Sequence, residues 1–246
     1  MALIPPNALP CGLLAFAILA PAEAAPVCSA RSAATITPVV ELYTSEGCNS
    51  CPPADRWLST LKADAPVVAL AFHVDYWDRL GWKDRFASPA YTQRQAEQQR
   101  SSGARFSYTP QVMIDGADRH DWPGAAVTGP RPAATVDAQL VRDGNRVTAS
   151  VTPRPGAPTR LAAYWAVTEQ AHVSAVKAGE NEGVTLHHDF VVRDYRQVAA
   201  WATQPDATTL QFELSSAGDP AHLRQINLVI VNADTGRPVQ AVKLGC

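Results

Sequence analysis

The chain carries no basic stripe and no run of like charge: 21 Lys and Arg stand against 23 Asp and Glu, for a net charge of −2 at pH 7. That balance gives no electrostatic footprint for nucleic acid and no charged, disordered tail. A Gly-rich phosphate loop and a Gly-x-Ser-x-Gly elbow are both missing, so neither P-loop nucleotide binding nor α/β-hydrolase chemistry is indicated. No repeat recurs at solenoid periods. The apolar segment from Cys11 to Ala20 is too short to span a bilayer as a helix. It has the length of a signal-peptide core instead, although no Lys or Arg precedes it. Pro21 and the small-x-small string Ala22-Glu23-Ala24 follow it. The expectation is a leader over residues 1–25, cut after Ala24 or Ala25, and a periplasmic or secreted protein with no membrane attachment after cleavage.

Cysteine is scarce but placed informatively. Removing the leader removes Cys11 and leaves Cys28, Cys48, Cys51 and Cys246. An even count suits disulfides in an oxidising compartment, and four cysteines allow three connectivities. The simplest pairs Cys48 with Cys51 and Cys28 with Cys246; the alternative leaves Cys28 and Cys246 free in frayed termini. A bond between the chain ends closes a loop long enough to be worth about 5 kcal/mol in the chain-entropy account.

The order of elements suggests two domains. Residues 35–43 are rich in β-branched side chains and read as a buried strand, as does the apolar run 67–74. Between them, Pro52 and Pro53 suit the first turn of a helix that continues from Ala54 to Leu61. Ser88-Pro89 starts a second, polar helix that ends near Gly103, and Gln111 to Asp115 forms a strand followed by the turn Asp115-Gly116. Residues 123–132 (PGAAVTGPRP) read as a linker. Beyond it come strands at 134–142, 146–152, 160–168, 183–192, 208–214, 225–232 and 239–244, spaced by turn residues in the manner of a β-sandwich. The expected architecture is an α/β domain at 35–122 followed by a smaller β-sandwich-like domain at 133–246.

Cys48-Asn49-Ser50-Cys51 lies between a buried strand and a helix, and three chemistries suit such a pair. As a redox couple, the first cysteine gains thiolate character from the helix N-terminus, attacks a substrate disulfide, and is released by the second cysteine. As a metal half-site, Cys48 and Cys51 with His73 or Asp75 would favour a soft ion such as copper. As a staple, the pair is permanent and the protein is a redox-inert binding module. His187-His188-Asp189 sits in a strand pattern where neighbours point to opposite faces, so at most one of them serves a given site. Its expected role is structural.

The succession of strand, CxxC, helix, strand, helix, then Thr109-Pro110 and a further strand resembles the thioredoxin fold. The longer strings ELYTSEGCNSCPPAD, FHVDYWDRLGWKD, YTPQVMIDG and GENEGVTLHHDFVVRD are similar to one group within that superfamily, the exported bacterial family of domain of unknown function 1223. The resemblance covers nearly all of the mature chain. It implies a thioredoxin-like domain and export, but no established substrate. It further implies that Pro110 is cis and packs against Cys48 and Cys51, with Thr109, Tyr108 and Trp77 lining a substrate groove. Two departures stand out. The pair lacks a preceding Trp and an internal Gly-Pro, and Pro52-Pro53 follow it, which moves Cys51 to the N-cap. The aromatic loop from Tyr76 to Phe86 either walls the groove or caps the core. The resulting expectation is a thiol–disulfide oxidoreductase, Cys48 attacking and Cys51 resolving, that needs no cofactor and acts on a protein or small-molecule thiol or disulfide.

Overall fold

Strands dominate the computed structural model, which describes Met1, residues 28–216 and residues 218–246. Residues 2–25 of the expected leader, Cys11 included, lie outside the described residues. In chain order, β1 (Cys28–Arg31) and β2 (Val39–Thr44) precede α1 (Pro52–Ser59), β3 (Val68–His73) and α2 (Pro89–Ser102). β4 (Gln111–Ile114) and β5 (Ala117–Asp118) follow, then β6 (Val136–Asp143), β7 (Arg146–Pro153), β8 (Arg160–Glu169) and the short β9 (His172–Ala175). The chain ends with β10 (Thr185–His188), β11 (Val191–Ala202), β12 (Thr208–Glu213), β13 (Arg224–Asn232) and β14 (Pro238–Leu244).

Eight of these strands form one sheet in the order β14-β13-β8-β11-β3-β2-β4-β5, and four form a second in the order β1-β6-β7-β12. The expectation of a thioredoxin-like α/β domain followed by a separate β-sandwich-like domain is therefore overturned. Strands from before and after residues 123–132 share the large sheet. The join is the parallel pairing of β11 with β3 at Val191 and Ala71, reinforced by the Ala71 N–H donating to the Phe190 carbonyl at 2.8 Å. The physical reason is that β3 is apolar on both faces, so an exposed edge there would be both sticky and unpaired. The break that allows this pairing falls inside the expected strand 183–192. Phe190 adopts φ +57° there, so β10 ends and the 12-residue β11 sets off in a new direction. Sequence alternation gave no sign of that turn.

Period-two alternation then places the cores. One face of the large sheet, through Leu161, Trp165, Val167, Leu228 and Ile230, packs on Leu140, Val147, Ala149 and Phe212 of the four-stranded sheet. Trp165 stacks on Phe212 with ring centroids 5.2 Å apart. Farther along, Val40, Leu42, Ala69, Ala71 and Val112 bury against Ala54 and Leu58 of α1. Val127, inside the expected linker, joins this same cluster. The opposite face runs from Tyr43, Leu70 and Phe72 to Tyr164, Ala166 and Val229 without interruption, and Tyr91 of α2 packs on it. α2 starts with Ser88 Oγ accepting from the Ala90 N–H and ends at Gly103 in the left-handed region.

Two features tie distant parts together. Cys28 and Cys246 form a disulfide, linking β1, an edge of the small sheet, to the end of β14, an edge of the large one. Beneath α2, Glu41 accepts from Arg94 at 2.5 Å and from the Tyr43 hydroxyl at 2.7 Å, and it also accepts from the Tyr164 hydroxyl. Among the described residues no helix is long and apolar enough to cross a membrane.

Candidate functional site

Cys48 and Cys51 are joined by a disulfide in the turn between β2 and α1. Cys51 is the N-cap of α1, as the double proline demands, yet it keeps α-region dihedrals (φ −78°, ψ −37°) rather than the extended ones expected before Pro52. The backbone closes tightly here: the Cys51 N–H donates to the Cys48 carbonyl at 3.2 Å, and the Ala54 N–H to the Cys51 carbonyl at 2.9 Å. Asn49 and Ser50 are exposed, whereas both cysteines are 0 % exposed.

Three segments enclose the pair. Thr109 precedes a cis peptide bond to Pro110, and its hydroxyl donates to Cys48 Sγ at 3.3 Å. The Trp77 indole N–H donates to that same Thr109 oxygen at 2.8 Å. Trp77 also packs on Gly47 so closely that a Cβ there would lie 3.0 Å from the Trp77 Cβ, which only glycine avoids. From the other side, Asn181 donates to the carbonyls of Glu46 and Cys48 at 2.9 and 3.0 Å, and Glu180 accepts from the Asn49 N–H at 3.1 Å. The aromatic loop therefore closes over the disulfide.

A buried polar cluster lies directly beneath. Glu46, His73, Asp84, Asp55 and His188 are at most 6 % exposed. His73 Nδ1 is 2.7 Å from Asp84 Oδ2, and that oxygen also accepts from the Glu46 N–H at 2.9 Å. Glu46 Oε2 accepts from the Trp82 indole at 2.7 Å, and Asp55 Oδ2 from the Thr44 hydroxyl at 2.9 Å. The His188 ring stands edge-on to His73, centroids 4.9 Å apart, with Nε2 3.6 Å from Glu46 Oε1 and Nδ1 3.5 Å from Asp55 Oδ1. Burial pushes the His188 pKa down, but Asp55 and Glu46 outweigh it and raise it to about 9. Burial pushes the Glu46 and Asp84 carboxyls up, yet contacts from His188 and Trp82 in one case, and from His73 in the other, hold both below the ordinary range.

The sequence-derived residues separate into two groups. Cys48, Cys51, Thr109, Pro110 and Trp77 come together as described. Tyr108 points elsewhere: its hydroxyl donates to Asp118 at 2.7 Å and its ring stacks on His120. His73, considered as a third ligand beside the two sulfurs, groups instead with Asp55 and His188. His187 is exposed and His188 buried, in keeping with the alternation of β10. Asp84, Asn181 and the inward role of His188 escaped sequence reading. They lie in separate segments, and the only local sign was a histidine closing the apolar run of β3.

The fold and site together define a β-rich protein with an enclosed CxxC disulfide over a buried charged cluster. Residues 39–231 match the family model described as protein of unknown function (DUF1223), and the chain belongs to that family. No curated protein matches it. It is similar to a protein from Agrobacterium tumefaciens solved by X-ray crystallography in a structural-genomics programme. That similarity is 26% identity and a TM-score of 0.63, covering 85% of this chain and 94% of the other.

Proposed function

We propose that this protein is an exported thiol–disulfide oxidoreductase working through Cys48 and Cys51. The observation that carries the reading is the Thr109 hydroxyl on Cys48 Sγ, presented from the residue before cis-Pro110. In the reduced form, the Cys48 thiolate attacks one sulfur of a substrate disulfide, forming a mixed disulfide and releasing the other substrate sulfur as a thiolate. Cys51, deprotonated, then attacks Cys48 Sγ, restoring the internal disulfide and releasing the second substrate thiolate. Two electrons pass from the protein dithiol to the substrate disulfide; the reverse sequence oxidises a substrate dithiol. Two disulfides in one chain suit an oxidising compartment and support a periplasmic or secreted location.

Local chemistry sets an expectation for the potential. Pro52 and Pro53 have no N–H, and the next two amides of α1, Ala54 and Asp55, both donate to the Cys51 carbonyl. The first-turn amides of α1 are thus spent, which leaves the Thr109 hydroxyl as a hydrogen-bond donor to Cys48 Sγ. A poorly stabilised thiolate makes a reducing couple, so the expected potential is nearer to about −270 mV than to about −120 mV. Titration against dithiothreitol, with thiol trapping and peptide mass mapping of Cys48 and Cys51 in the intact chain, measures it. A disulfide that persists well below about −300 mV would sink the exchange reading.

That outcome would support a second reading, a redox-inert binding module, which the complete burial of both cysteines favours. The two readings also differ over Trp77. If the disulfide exchanges, Trp77→Ala uncovers Cys48 and raises the second-order rate of reduction by about tenfold or more, because exchange depends on access to the attacked sulfur. Stopped-flow reduction by dithiothreitol reads this directly, and an unchanged rate would argue that Trp77 does not gate the sulfur.

A further inference from the structure

We propose that Asp55, His73 and His188 form a buried divalent-metal site of the kind that takes zinc, with Glu46 on the remote ring nitrogen of His188, lying beneath the Cys48–Cys51 turn and independent of its sulfurs. Asp55 comes from α1, His73 from the end of β3 and His188 from the end of β10, and one ligand atom of each lies within 4.8 Å of the others. The donor set of two imidazoles and one carboxylate suits a borderline cation such as Zn²⁺, with the fourth tetrahedral position left open.

The orientation of each donor supports the assignment. His73 uses Nδ1 on Asp84 and leaves the fully buried Nε2 without a partner. A carboxylate on the remote ring nitrogen is the usual way a protein fixes the tautomer of a ligating histidine. Asp55 has Oδ2 occupied by Thr44, and Glu46 has Oε2 occupied by Trp82, while buried Glu46 Oε1 has no hydrogen-bond partner. Both ring nitrogens of His188 are also buried without one. Unpartnered buried polar atoms are rare in native proteins and costly, and here those of His73 and His188 lie together beside Asp55, while Glu46 Oε1 faces the other His188 nitrogen. Charge points the same way: Glu46, Asp55 and Asp84 bring three carboxyl groups into a water-poor space, and a dication offsets the repulsion among them.

The test uses the purified full-length protein with its disulfides intact and cysteine-derived binding therefore blocked. The expected result is one Zn²⁺ per chain by mass spectrometry, a rise in melting temperature on adding ZnCl₂ to chelator-stripped protein, and displacement by Co²⁺. Bound Co²⁺ should give visible d–d bands of a nitrogen and oxygen site without a sulfur-to-cobalt charge-transfer band. His188→Gln should lower Zn²⁺ affinity at least about 100-fold, and Asp84→Asn, which keeps all three donors, about 10–100-fold through the orientation of His73. Should these variants fail to fold, the wild-type measurements decide alone. Folded wild-type protein that takes up no Zn²⁺ or Co²⁺ would overturn the site, leaving His188 as an imidazolium between Glu46 and Asp55. A thiolate band appearing only after reduction, with no binding before it, would overturn it in favour of Cys48 and Cys51.

Discussion

Replacing Cys28 with serine is expected to cost about 5 kcal/mol of stability, the largest single effect anticipated for this protein. The bond it removes spans 218 residues. In the chain-entropy account the loss grows with the logarithm of the loop, so a bond across almost the whole described chain lies near the maximum. The native state loses little by comparison. β1 keeps its antiparallel pairing with β6 from Cys28 to Arg31, and β14 keeps its pairing with β13. Hence the effect acts mainly on the unfolded ensemble. Urea unfolding of the variant, with the Cys48–Cys51 disulfide intact, checks it. A loss below about 1 kcal/mol would mean that the unfolded chain already holds its ends together, or that the bond strains the native sheets.

Replacing Arg94 with methionine should cost about 3–5 kcal/mol, because it strands a buried carboxylate. The side chains of Arg94 and Glu41 are 7% and 4% exposed. The guanidinium lies 3.9 Å from the centroid of the Tyr164 ring, and one of its nitrogens donates to the Tyr195 hydroxyl at 3.2 Å. Burial, followed by the Glu41 carboxylate, pushes the Tyr43 and Tyr164 phenols well above their ordinary range, so both remain hydroxyl donors to Glu41. Without Arg94 those two hydroxyls solvate the carboxylate only partly. Paired replacement, Glu41→Leu with Arg94→Met, is expected to recover most of the loss, since it removes both charges from the interior. Thermal unfolding of the single and double variants measures the coupling, and a double variant as unstable as Arg94→Met alone would show that packing of the arginine stem, rather than its charge, holds α2 to the sheet.

Much of the site was legible in local sequence. Cys48 and Cys51 announce themselves by spacing, and Pro52-Pro53 mark the start of α1 because missing N–H groups are harmless only there. Thr109-Pro110 marked the segment that faces the cysteines, although nothing in its composition indicates that Tyr108 turns away to Asp118 and His120. The buried cluster was not legible. Glu46, Asp55, His73, Asp84 and His188 come from five segments, and no local pattern joins them. The partners of Glu46, Trp82 and His188, are 36 and 142 positions away.

The sequence by itself determined α1, α2 and most of the strands, though not β1, β9 or the break between β10 and β11, because alternation, β-branching, proline and capping residues act over a few positions. It also determined that Cys48 and Cys51 are spaced to pair with each other. Only the tertiary structure decided that the strands of both halves belong to one sheet, since that depends on the edge of β3 finding β11 across more than a hundred residues. The same pairing carries β10, and with it His188, over α1 to Asp55 and Glu46. Long-range edge pairing is a competition between whole surfaces, and no local pattern records its outcome.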